Sequence, residues 1–121
     1  MKRTGIIATA AILLVTFQVL AQTNQPAKPD WIVTSNKPCK VWNPEPQPDE
    51  SVTWSGTCED WLASGKGILK WTENGKPAVE FDGVYAKGKR NGPGVIIMPD
   101  GKRLAGVWVD DELITPEGGS I

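Results

Sequence analysis

The stretch Phe81-Asp-Gly-Val-Tyr-Ala-Lys-Gly-Lys-Arg-Asn-Gly-Pro-Gly-Val-Ile-Ile-Met-Pro-Asp-Gly101 decides the fold class. Phe81 and Tyr85 stand two places before and two places after Gly83, so in a strand they share one face. Gly92-Pro-Gly94 follows, then the apolar run Val95 to Met98, closed by Asp100-Gly101, a turn dipeptide that tolerates positive φ. Such a unit is a β-hairpin. On either side, Trp54-Ser-Gly56 and Leu104-Ala-Gly106 repeat the apolar-x-glycine step, with Cys58 and Trp108 two places after their glycines. Gly65 and Gly67 follow Gly56 by 9 and 11 positions, and Gly92 and Gly94 follow Gly83 by the same 9 and 11. The first unit also closes on a turn dipeptide, Asn74-Gly75, after the strand Ile68 to Trp71.

These offsets predict an all-β chain, an antiparallel meander whose hairpins stack edge to edge. The glycines supply tight turns and bare backbone on which a facing ring can lie. The row of bulky residues is expected at Trp54, Trp71, Phe81, Tyr85, Leu104 and Trp108, joined by Leu69 and by Val95 or Ile97. One hairpin cannot bury that row alone, which is why the unit recurs.

The unit resembles the MORN repeat, an aromatic-x-Gly-x-aromatic-x-x-Gly-x-x-x-Gly-x-Gly pattern of about 23 residues. The step from Gly83 to Gly106 is 23 residues. Residues 79–103 match closely, 52–78 less well, and 104–114 look like the first strand of a third unit left incomplete; the repeat region as a whole spans 51–115. Trp61 stands where Gly88 stands in the second unit, which predicts a first turn of different shape. The 27 residues from Gly56 to Gly83 predict a bulge around Lys76 to Val79. The stretch from Cys39 to Cys58 is similar to the segment preceding the repeats in exported bacterial proteins of this type. The resemblance implies an elongated, lightly curved sheet serving as an assembly or membrane-association platform, and it implies no particular activity.

The N-terminus reads as a targeting segment. Lys2 and Arg3 precede an almost unbroken apolar run from Ile6 to Ala21, and Val19-Leu20-Ala21 fits small-residue cleavage, so residues 1–21 are expected to be a signal peptide; the alternative is an uncleaved anchor. Residues 22–50 hold six of the 10 prolines, excluding helix there, with short β-like pieces at Trp31 to Thr34 and Cys39 to Trp42. This extension is expected to lie on the sheet, and residues 116–121 to form a tail. Cys39 and Cys58 are the only cysteines, and an exported chain favours their pairing over two free thiols or a half-built metal site.

Thirteen basic against 14 acidic residues give a formal charge of −1, without the concentrated basic face that a nucleic-acid partner demands. The absence of histidine excludes Ser-His and Cys-His catalysis and most zinc centres. Carboxylate pairs at Glu59-Asp60, Glu80 with Asp82, and Asp110 to Glu112 leave a hydrolase as a minor alternative, and Asp110 to Glu112 reads as a solvated turn. Neither an enzyme nor a cofactor is expected.

Six tryptophans exceed what the repeats need. Trp42 is expected beneath the disulfide, and Trp61, in a loop where glycine was due, to be an exposed contact residue. Lys87, Lys89 and Arg90 form a basic group, with Lys102 and Arg103 in the next link. The strand around Val107 to Val109 is expected to leave an edge open to self-association. Together these point to a periplasmic or secreted binding module with a protein partner. The alternative is envelope-surface binding, to anionic lipid through the basic group or to cell-wall glycan through the tryptophans.

Overall fold

A computed structural model describes residues 27–116. The signal-peptide reading of 1–21 lies outside them, as does the tail after Pro116. The described residues form nine strands and no helix: β1 (Asp30–Val33), β2 (Lys40–Asn43), β3 (Glu50–Trp54), β4 (Thr57–Glu59), β5 (Leu62–Glu73), β6 (Lys76–Ala86), β7 (Lys89–Ile97), β8 (Arg103–Val109) and β9 (Glu112–Pro116). Strands β5 to β9 run as an antiparallel meander, while β4 and β3 pair with successive parts of the remaining edge of β5. The hairpin of β1 and β2 joins through one parallel pairing, Lys40 with Leu62.

Gly67, Gly83, Gly94 and Gly106 stand in register across β5 to β8. The Phe81 ring lies over Gly83 and Gly94, and a Cβ at Gly83 would stand 2.7 Å from it. Trp54 covers Gly67 in the same way, at 2.6 Å. Ring centroids run 5.0 Å from Trp54 to Tyr85, 5.7 Å from Tyr85 to Phe81 and 5.0 Å from Phe81 to Trp108. Each such pair adds about 1 kcal/mol beyond area burial. A single sheet buries rings this completely only by curling around them, and Trp54, Tyr85, Phe81 and Trp108 are all buried.

Two core expectations are corrected. On β7 the inward residue is Ile96, since Gly94 already faces Phe81 and alternation turns Val95 and Ile97 outward. Leu104 is only half-buried and outside the core cluster; it pairs with Ile96 on β7. Trp71 packs against the cluster from its margin. The bulge does occur: Ala78 and Val79 stand opposite the single residue Trp71.

Three turns close one end of the meander: Asp60-Trp61 at φ 51° and 69°, Lys87-Gly88 at 52° and 82°, and Asp110-Asp111 at 48° and 74°. Two consecutive positive φ values mark the type I′ turn, which suits the strand twist. The first turn therefore has the shape of the second, against expectation, because Trp61 itself adopts the left-handed conformation. The turns stack: the Gly88 N–H donates to the Ala63 carbonyl and the Asp111 N–H to the Arg90 carbonyl, both at 2.9 Å. The third unit is likewise a completed short hairpin. Its strand β9 covers β8, so among the described residues the meander ends at Glu112–Pro116 and not at Val107 to Val109.

The extension covers the row of turns. Lys40 N–H donates to the Trp61 carbonyl and Trp42 N–H to the Gly88 carbonyl, both at 2.8 Å. The next alternate residue, Pro44, has no N–H, and the Asp111 carbonyl is bonded by Arg90 Nη2 at 3.0 Å instead. Ser35 N–H bonds the Val52 carbonyl and the Asn36 side chain bonds both backbone groups of Trp54, so the free edge of β3 is occupied. The Cys39–Cys58 disulfide fastens the extension to β4. Trp42 lies on the face of β2 opposite Cys39, edge-on to Trp31 at 5.2 Å, and so does not pack beneath the disulfide.

Candidate functional site

The extension and the inner face of the sheet enclose a cleft of about 250 Å³. Trp42 and the segment that follows it form one wall, Trp71 and Ile96 the other, and Phe81, Tyr85 and the Arg90–Asp111 pair complete the lining. Sequence alternation places these residues together: Phe81 and Tyr85 share a face of β6, and the stacking of turns brings Asp111 beside Arg90.

Arg90 is correspondingly not the surface cation expected of it. Its Nε donates to Asp111 Oδ1 at 2.8 Å and its Nη2 to Oδ2 at 2.8 Å, a bidentate pair with side-chain exposures of 18% and 6%. The guanidinium lies over the rings of Phe81 and Trp108, 5.7 and 5.8 Å from their centroids. Burial opposes its charge, but the hydrogen bond and the negative charge of Asp111 outweigh that and raise the Arg90 pKa above its ordinary value. Asp111 is thus a structural anion and not part of a solvated turn. Its signal in the sequence was periodic: it follows Gly88 by the same 23 residues that separate Gly83 from Gly106.

Tyr85 is buried, and among the described residues its hydroxyl has no hydrogen-bond partner. Burial, reinforced by Asp111 and opposed by Arg90, pushes the phenol well above its ordinary value, so it stays neutral. At the mouth of the cleft, Glu50 and Glu73 stand directly opposite each other across β3 and β5. Glu50 Oε1 accepts from Asn43 Nδ2 at 2.6 Å and from the Gln47 N–H at 2.9 Å, which pins the segment over the cleft. The pair has no signal in the sequence, because its opposition depends on strand register.

The remaining predicted residues lie elsewhere. Lys87 is exposed in its turn, and Lys89 sits over the Trp42 ring at 4.9 Å. With Arg90 turned inward, the three cations do not form one surface group. Trp61 is 66% exposed beside Val33 and Leu62, on a flank distinct from the cleft. No family model, curated protein or solved structure matches the chain.

Proposed function

We propose that the protein is an exported, non-catalytic binding module, periplasmic or secreted, that engages a protein partner through Trp61. The reading rests on one observation: a tryptophan holds a left-handed turn position, at φ 69°, with its ring 66% exposed. That conformation costs a residue with a Cβ roughly 1–2 kcal/mol, and the ring recovers little by burial within the chain. An exposed indole beside the apolar Val33 and Leu62 has the chemistry of an interface anchor. The disulfide suits an oxidising compartment, and the resemblance to MORN repeats supports a platform role.

Crosslinking in the native envelope with wild type and Trp61→Gly tests this. The glycine variant keeps the turn, so a crosslinked species recovered with wild type and lost with the variant supports the reading. An identical set from both removes it. Peptidoglycan sedimentation separates the glycan alternative, which expects salt-insensitive retention that Trp61→Gly abolishes. The lipid alternative is weaker, since Arg90 is committed to Asp111.

A further inference from the structure

The cleft has an unbalanced charge. Its lining contains Glu45, Glu50, Glu73 and Asp111 against Arg90 alone, and the Arg90 charge is paired with Asp111 through Nε and Nη2. Glu45, Glu50 and Glu73 form no ion pair among the described residues, and the cross-strand opposition of Glu50 and Glu73 is a repulsive arrangement that a cation would relieve. Lys76 pairs in register with Glu73 across the next turn, yet makes no ion pair with it and does not line the cleft.

A metal ion is the wrong cation. No three Asp or Glu side chains among the described residues converge as ligands, and Trp42, Trp71, Phe81 and Tyr85 share the lining with the carboxylates. Aromatic walls with separated carboxylates suit an organic ammonium, whose alkyl chain lies on the rings while its charge meets the anions. Lys89 stacks on the Trp42 ring at 4.9 Å but does not itself line the cleft. A second, independent feature lies deeper: Tyr85 is buried and its hydroxyl has no partner among the described residues, and a neutral phenol oxygen accepts a hydrogen bond from an N–H donor.

We propose that the cleft binds an aliphatic diamine, with one ammonium between Glu50 and Glu73, the chain along Trp71 and Trp42, and the second nitrogen at the Tyr85 hydroxyl. This site is separate from Trp61 and stands whether or not that residue anchors a protein. The same chemistry is available from a free diamine and, with one nitrogen only, from a lysine side chain.

The test is titration of the purified protein with cadaverine, pentylammonium, N-acetyl-lysine methylamide and pentanol, followed by the indole N–H signals of Trp42 and Trp71 in NMR spectra. Cadaverine is expected to shift both signals saturably. Glu50→Gln with Glu73→Gln is expected to weaken it about tenfold or more, and Tyr85→Phe to weaken it measurably while keeping the fold. In the double variant the amide oxygen introduced by Glu50→Gln can still accept from Asn43 Nδ2 and the Gln47 N–H while the repulsion is gone, so the melting temperature should not fall. Undiminished binding by that variant, or equal shifts from pentanol, overturns the proposal. If pentylammonium or the lysine derivative binds as tightly as cadaverine, the diamine assignment fails.

Discussion

Trp61 and Gly88 occupy the same position of consecutive turns, at φ 69° and 82°, and only one of them is glycine. The Trp61 carbonyl accepts from Lys40 and the Gly88 carbonyl from Trp42, so β2 treats the two turns alike. The side chains diverge. A Cβ at Gly88 would meet the Trp31 ring at 2.6 Å, whereas the Trp61 ring projects into solvent.

Trp61→Gly is therefore expected to stabilise the protein by about 0.5–1 kcal/mol, the relief of left-handed strain outweighing the extra backbone entropy of glycine. The reciprocal change, Gly88→Trp, is expected to destabilise through the collision with Trp31. Thermal denaturation of both variants checks the pair. A loss of stability in Trp61→Gly would mean that the ring contributes to packing and is not a free contact.

Gly94 is required for a steric reason, since its φ is not positive. The Phe81 ring occupies the place of its Cβ. Gly94→Ala is expected to cost about 1–3 kcal/mol, measured by denaturant unfolding. In the background Phe81→Ala the same substitution should cost much less, because the obstruction is gone; additive costs would remove the ring-over-glycine explanation.

The glycine offsets carried the fold. Equal spacing fixes which glycines meet across strands, and this determined that Phe81, Tyr85, Trp54 and Trp108 would come together. Glycine also misled at Trp61, where propensity predicted a different turn and three stacked turns with a covering strand imposed the same one. Arg90 and Asp111 lie 21 residues apart; the 23-residue period places Asp111 at the turn position of Gly88, but its contact with Arg90 arises only when the turns stack. The opposition of Glu50 and Glu73 depends on the register of β3 with β5, outside the repeated core of the pattern. The strands were thus legible from local spacing, while most of the cleft depends on contacts between units.

Asp111→Asn leaves the Arg90 charge half-buried without its anion, and is expected to cost about 3 kcal/mol, the lower end of the range for breaking a buried pair since Arg90 is 18% exposed. Replacing both residues together, Arg90→Met with Asp111→Asn, should cost less than Asp111→Asn alone. Urea unfolding of the two variants measures this coupling. A single-variant cost near zero would mean that water, not Asp111, solvates the guanidinium.

Tyr85 is the only tyrosine in the chain, so tyrosinate absorbance reports on it alone. Its folded pKa lies above the ordinary 10.0, chiefly because burial disfavours the charged phenolate. Above pH 10 the unfolded chain has therefore released a proton that the folded chain retains, and by linkage stability falls as pH rises further. Below the ordinary value this contribution is complete. Tyrosinate absorbance and the circular dichroism of unfolding should appear together in one cooperative alkaline transition. Tyr85→Phe should keep its fold to higher pH, because it has no proton to release. Ionisation near the ordinary value with the dichroism unchanged would show that the phenol reaches solvent, and would place Tyr85 outside the closed core.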